Sequence, residues 1–591
     1  MATAQVVHLS RHQFLAGPGF SSDQRGEVGG RLPARLQDQP EDARGVTNGA
    51  GPQPSNPRSD TWLVGRDSGH NATMAPHPID VVIGGGGPAG AAAARLLATW
   101  GHSVQLLTKT VDRSRSLGES LPPSCRKLFD LLGATAAIDT AGFLASSGNT
   151  VWWGDETTRT ACFADGATGL QVDRHDLDAL LLRLAGQAGA HVQANALVRG
   201  AGLAPVDSRP GPAAATISYS TDDSSTHTIE AQFVLDCSGR AGVIARRGFR
   251  VHDVGRTTLA LTAVWMRRDG WDLGDETHTL VETYRDGWAW SVPVTPSRRY
   301  VTVMVDPRVT DLDRGSAVTA CYEAELAKTA ALGRVLAQAT RVTVPWGCDA
   351  SLYHAPTCGG PGMLLVGDAA SFIDPLSSYG VKKALASAWL AAVVVHTSLT
   401  NSALAAVALD LFNRREREIH AAAVRQSAQF FADAATRHHH PFWTGRATMD
   451  QMAETGDAGD TAPEIDIDAL RRDPAVMAAF DTLRQGSGIR LRRGDHLRVE
   501  ARPALTIRDV VMEDRLVLPD WPPTGRGVRF LRDIDLVQLV ELAPDHRQVP
   551  DLYEAYNRRC APVSLPDFLG ALSVLLAKGA LRNDMTEPGP R

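Results

Sequence analysis

No Cys-x-x-Cys pair occurs in this chain, and its seven cysteines (125, 162, 237, 321, 348, 358 and 560) are odd in number. That pattern excludes a disulfide framework and a zinc-ribbon site, and it reads as reduced thiols in a cytoplasmic protein. Long apolar runs are missing too. The longest, residues 384–395, is broken by Ser387 and falls short of the roughly 20 residues a bilayer span needs. No basic start followed by an apolar core opens the sequence, so no signal peptide is expected. Basic charge is not in excess. The formal net charge of -6 argues against a nucleic-acid partner held on a basic surface. The one histidine run, His438-His439-His440, is a poor metal site, because adjacent residues on a helix point in different directions.

What is present suits a globular enzyme. At 591 residues with 43% hydrophobic content, the chain is long enough for several domains. Residues 1–73 are rich in Gly, Pro, Ser, Asp and Arg and lack periodicity. A disordered extension is expected there, since such composition buries too little apolar surface to offset ordering entropy. Met74 stands just ahead of the first strong strand, and translation from it would omit the extension. Residues 74–440 are read as α/β, a Rossmann-type nucleotide-binding domain. An antiparallel sheet is expected at about 257–305, where apolar and polar residues alternate. Residues 441–526 read as a linker and helical segment. Residues 527–591 read as a small winged-helix-like module, in a mainly helical C-terminal region. Without basic excess, that module suits interaction or substrate docking better than DNA.

The chemistry begins at Gly85-x-Gly87-Pro88-Ala89-Gly90, directly after the strand Ile79-Asp80-Val81-Val82-Ile83 and opening an Ala-rich helix. In that context the glycines permit a tight turn and close approach of backbone to a pyrophosphate, which the helix N-terminus stabilises. A Gly-rich loop with no ligand is the alternative. The second strand, Val104-Gln105-Leu106-Leu107, ends in Thr108 rather than the usual ribose-binding acid, so ribose recognition must differ, with Thr108 and Arg126 as candidates. Two more strand ends follow: Asp236-Cys237-Ser238-Gly239-Arg240 and Gly367-Asp368-Ala369-Ala370. A Gly-Asp there can set a carboxylate on a ribityl hydroxyl. The Lys382-Lys383 pair reads as a helix-surface feature.

Together and in this order, these motifs resemble the FAD enzymes that include p-hydroxybenzoate hydroxylase, geranylgeranyl reductases and flavin-dependent halogenases, over roughly residues 79–420. The resemblance implies FAD on the Gly-rich turn. Four stretches are similar to halogenase-like flavoproteins in particular: Gly118-Glu119-Ser120-Leu121-Pro122-Pro123-Ser124, Val172-Asp173-Arg174, Trp288-Ala289-Trp290-Ser291-Val292-Pro293, and Phe372-Ile373-Asp374-Pro375-Leu376-Ser377-Ser378-Tyr379-Gly380. The resemblance implies Ser120 and Arg174 beside FAD and Trp288 and Trp290 as a barrier at the reaction site. It also places Pro375, Ser378, Gly380 and Val381 at the flavin ring, where a helix dipole stabilises the reduced anion. Ordinary strand packing is the alternative for the two tryptophans. Glu119 is the acid/base candidate near the ring, and a structural carboxylate is its default reading.

Halogenases of phenols and pyrroles carry a lysine in Phe-x-x-Lys-x-Gly-x-Thr. Here that run is Phe143-Leu144-Ala145-Ser146-Ser147-Gly148-Asn149-Thr150, and no lysine lies between Lys127 and Lys328. Only a distant lysine such as Lys382 could approach in space. The departure favours oxygen transfer from a flavin C4a-hydroperoxide to an aromatic carbon, with Trp152 and Trp153 either as an aromatic wall beside the substrate or as core tryptophans of the substrate sheet. Asn149-Thr150-Val151-Trp152-Trp153-Gly154 also looks like flavoproteins that hydroxylate a peptidyl tryptophan in tryptophylquinone biogenesis. The expected partners are therefore an aromatic small molecule or a protein or peptide, O2, and NAD(P)H or a partner flavin reductase, since no second dinucleotide fingerprint occurs. A flavin-dependent halogenase of an aromatic natural product and a non-catalytic FAD-binding partner protein are the competing readings.

Overall fold

The computed structural model describes residues 79–585 except 110–112, 155–156, 204–214, 223, 254–255, 313–316, 448–464, 466, 487 and 522–526. The expected disordered extension, 1–73, lies outside the described residues.

Four short apolar runs, 81–83, 104–107, 233–235 and 363–365, form the middle of the first sheet, each buried as a parallel sheet covered on both faces demands. Ile79–Gly84 pairs in parallel with Val104–Leu107 on one side and Thr226–Asp236 on the other. His191–Gln193 and Met363–Leu365 extend it, also in parallel. The strands Leu197–Leu203 and Ala215–Ser220 attach as an antiparallel flank. Helix Pro88–Thr99 buries Ala91 to Ala94 against this sheet. These small side chains let the helix lie close to the strands and to helix Gly380–Thr400.

The second sheet is antiparallel over the expected region: Leu259–Met266, Arg298–Val305, Gly287–Thr295 and Thr279–Tyr284 pair in that order. It recruits one strand from far upstream. Gly148–Trp152 pairs in parallel with Thr279–Tyr284. A third, small sheet joins Gly118–Leu121 and Leu144–Ser146 to Gly169–Asp173, so the segment around Glu119 lies between the two larger sheets in the chain's path.

Helices Gly380–Thr400 and Ala405–Ala435 follow. By length and composition the first is apolar enough to cross a membrane, but 72% of its apolar window is buried inside the fold. It is a core helix. The Lys382-Lys383 pair departs from expectation here. Lys382 is 6% and Lys383 5% exposed, because this helix is covered on nearly all sides and leaves no surface to hold them.

Beyond residue 440 the organisation also differs from expectation. Helix Pro441–Ala447 is not linker: Phe442 and Trp443 are fully buried beside Phe431, Trp153 and Trp288. The C-terminal hydrophobic core starts well before 527. Val476, Leu483 and Leu491 share it with Leu552, Phe568 and Leu572, and Leu491–Arg493 pairs with Leu581–Asn583. A hairpin, Arg498–Leu505 with Val510–Val517, leans back on the core helix. There Trp389 Nε1 donates to the Ile507 carbonyl and the Val510 amide to Thr397 Oγ1, both at 2.8 Å.

Candidate active site

The glycine turn is packed in a way that excludes side chains. A Cβ at Gly90 would lie 1.8 Å from the Gly85 carbonyl oxygen, and one at Gly85, whose φ is +116°, 2.4 Å from that of Cys237. Gly87 is different. A Cβ there would meet nothing nearer than Arg174 and Asp178, at 3.8 and 3.9 Å. The turn therefore opens toward Arg174. No side chain caps the N-terminus of helix Pro88–Thr99, so its first N–H groups are available to an anion. Pro88, Ala89 and Gly90 form that first turn.

Opposite the opening, Arg174 donates to Asp178 at 3.0 and 3.1 Å and to Glu119 at 3.4 Å. Burial raises the Glu119 carboxyl above its ordinary value, Arg174 pulls it back, and Asp368 pushes it up. Glu119 and Asp368 thus lie within electrostatic reach of Arg174, which borders Gly87. Asp368 Oδ1 is buried and makes no hydrogen bond among the described residues, its nearest charge being Lys383 Nζ at 3.6 Å. Thr108 is buried beside Gly86, whose Cβ would sit 2.4 Å from Thr108 Oγ1. Arg126 is committed elsewhere, in a two-pronged pair with Asp139 at 2.7 and 2.8 Å. An uncapped helix end, an open glycine facing an arginine and an orphaned carboxylate oxygen together fit the pyrophosphate and polyol of FAD. Asp236 does not join them. Its oxygens accept from Ser238, Ile244 and Ala245 and so fasten their own loop.

Gly367 adopts φ +63°, which a glycine tolerates, and delivers Asp368. The corner at 375–381 is built from Asp374, which accepts from the Leu376 amide, and Ser378 in a left-handed conformation at φ +52°. The long helix begins at Gly380, with no side-chain cap at Tyr379. A Cβ at Gly380 would meet no atom within 4 Å, so this helix end is open, and Val381 behind it is buried. Ser120 is buried on its strand. Lys382 Nζ sits 5.0 Å from the centre of the Tyr379 ring, and burial lowers its ammonium below the usual lysine value.

The aromatic residues divide. Trp288 and Trp290, two apart on one strand, share a face with ring centres 5.7 Å apart. Trp288, 1% exposed, clusters with Trp153, Met304, Phe431 and Trp443, and Phe372 and Leu376 of the corner pack on the same cluster. Trp152 does not share that wall. Neighbouring strand residues point to opposite faces, and Trp152 packs in the other cluster, with Leu261, Ala289 and Tyr284. Ser146 is buried and donates to the Gly148 carbonyl at 3.2 Å. His438 stacks on Trp443 and contacts Thr283.

Several site residues were invisible to motif reading. Phe431 and Trp443 come from helices beyond the motifs. The signal available for Lys383 was its place one turn before Ser387, a spacing that sets both on one helix face.

Residues 156–461 match the tryptophan halogenase family. A tryptophan 2-halogenase of Chondromyces crocatus is 30% identical over 349 residues, covering 57% of this chain and 65% of that protein. A flavin-dependent halogenase of Armillaria mellea (armH1) is 28% identical over 350 residues, covering 55% and 66%. The chain thus matches slightly less than two thirds of the length of these relatives. Among solved structures, the flavin-dependent halogenase CmlS aligns with a TM-score of 0.64 at 23% identity, over 86% of this chain and 96% of that one. The peptidyl tryptophan dihydroxylase QhpG, described as essential for tryptophylquinone cofactor biogenesis, aligns at 0.58 and 22%, over 85% and 100%.

Proposed function

The chain belongs to the tryptophan halogenase family, and from that premise we propose that it is an FAD-dependent oxidoreductase acting on an aromatic carbon. Reduced FAD and O2 would supply an electrophilic oxidant; NAD(P)H or a partner reductase would supply electrons. The relatives favour halogen transfer, which reverses the preference drawn from the motifs alone. The observation that carries the reading is the cradle itself: a Gly87 turn open toward Arg174, with a buried Asp368 Oδ1 that makes no hydrogen bond among the described residues.

In this reading the 88–90 helix end holds pyrophosphate, Thr108 the ribose, and Asp368 a ribityl hydroxyl. Ser120 and Arg174 flank the cofactor. The uncapped helix end at Gly380 and Val381, with Pro375 and Ser378 shaping the corner, faces the flavin ring and a halide. Glu119, whose carboxyl is raised by burial, holds or passes a proton at its Oε atoms. Trp288 and Trp290 keep water from the reaction site, and Trp153 lines the substrate side.

A second reading, hydroxylation of an aromatic ring including a peptidyl tryptophan, is favoured by Ser146. It stands where the phenol and pyrrole halogenases carry an amine, and its hydroxyl is already bonded to Gly148. The deciding experiment supplies protein with FAD, a flavin reductase, O2 and bromide or chloride. The aromatic probes are free tryptophan, a phenol, a pyrrole and a tryptophan-containing peptide. A product heavier by about 34 Da marks chlorination and one heavier by about 16 Da hydroxylation, as oxidant transfer from the cofactor requires. Protein that binds FAD and consumes reduced flavin without modifying any ring would support the non-catalytic alternative.

A further inference from the structure

The peptide that delivers Asp368 is gripped from both sides by one helix. Ser387 Oγ accepts from the Gly367 amide at 2.8 Å, and Lys383 Nζ donates to the Gly367 carbonyl at 3.0 Å. Lys383 also donates to the Ser371 carbonyl, so it ties together the two ends of the loop. Its ammonium lies 3.6 Å from Asp368 Oδ1. From behind, Glu416 of the next helix, 1% exposed, faces Lys383 and Ser387. The ammonium is 5% exposed. Burying a lysine this deeply is costly unless its charge is met. Two carbonyls and the Asp368 carboxylate meet it here, and all three belong to the 367–371 loop.

We propose that Lys383 is the positioning residue of the cofactor site: it fixes the 367–371 loop so that the Asp368 carboxylate is presented to the cofactor's polyol chain. The inference rests on the FAD reading above and deepens it. A hydrophobic replacement would leave two buried carbonyls without their donor and free the loop, and Asp368 would then lose its aim. Lysine contributes here through Asp368, so removing either residue should weaken the same interaction once.

The test is a double-mutant cycle on FAD affinity, read by quenching of flavin fluorescence, with circular dichroism of each protein as a check on folding. Lys383→Met is expected to raise the dissociation constant about tenfold or more, as loss of charge-assisted bonds does, and Asp368→Asn to do likewise. The combined variant should bind no more than about twofold worse than the weaker single, because coupled residues are not additive. Lys383→Arg, which keeps the charge, should bind FAD more tightly than Lys383→Met. Affinity unchanged in Lys383→Met, or losses that multiply in the combined variant, would overturn the proposal. Should Lys383→Met fail to fold, Lys383→Gln, which also removes the charge, takes its place in the cycle and is judged by the same two outcomes. Unaltered protein that takes up no FAD ends the functional reading and this inference together. Unaltered protein that binds FAD, matched by Lys383→Met, ends this inference alone.

Discussion

At the residue scale, the glycine turn was legible because its requirement is local and backbone-borne. Gly85 and Gly90 stand where any Cβ collides with a carbonyl, and a sequence announces such positions by spacing alone. Gly90→Ala should therefore destabilise the protein by about 1–3 kcal/mol, the range for overpacking, and abolish FAD uptake in a fluorescence titration. Trp288→Ala, which empties a fully buried site, should cost about 3–5 kcal/mol, measured by denaturant unfolding. Glu119 gives a pH-dependent prediction. Its carboxyl is raised in the fold, so the folded state binds an extra proton between the ordinary glutamate value, near about 4.3, and the raised one. Stability then falls as pH climbs through that window and stays lower above it. In Glu119→Gln that fall disappears. The difference in unfolding midpoint, variant minus unaltered protein, should grow more positive as pH increases. Charged residues were the harder case. Lys382 and Lys383 look like surface residues in sequence, and only the surrounding helices reveal that their side chains are enclosed.

Elements, not residues, decide which side chains meet. Periodicity identified the antiparallel sheet, since alternation is a property of a single segment. The pairing of Gly148–Trp152 with Thr279–Tyr284 is not. It joins segments far apart in sequence, and with it came the misreading of Trp152 and Trp153 as one wall. The 498–517 hairpin is another non-local contact. It reaches the core helix through His396, whose Nδ1 lies 2.8 Å from His102 Nε2 and whose Nε2 lies 3.5 Å from Asp509. His102 in turn faces Asp80 at 3.8 Å. Burial lowers both imidazoles below the usual value, and their mutual repulsion lowers His102 further. Folded pKa values below the unfolded ones mean that this contact stabilises fully above about pH 6.5 and weakens as pH falls through and below it. Hydrogen exchange should show the hairpin amides, Val510 above all, losing protection in mild acid. His396→Gln should remove most of that pH dependence.

For the molecule as a whole, the described residues form four hydrophobic clusters, and the two largest are separable by residue. One spans the nucleotide sheet and its helices; the other is confined to the C-terminal region from Val476 to Leu581. Calorimetry should then resolve two transitions. FAD at about 100 times its dissociation constant should stabilise the first by about 2.7 kcal/mol and leave the second in place. The family-level outline was readable because three motifs fall at three strand ends in order. The extent of the C-terminal region was not, because its early strand Leu491–Arg493 finds its partner only at Leu581–Asn583. The order of strands in the first sheet also governs how the protein comes into being. Ile79–Gly84 lies between partners from Val104–Leu107 and Thr226–Asp236, and Met363–Leu365 closes the row. At about 5–20 residues per second, a ribosome leaves the opening glycine turn waiting for tens of seconds before the strand carrying Asp368 emerges. Throughout that interval the nascent polypeptide exposes an unfinished apolar edge. Chaperone supply and the pace of translation, more than the concentration of flavin, should set the yield of active protein.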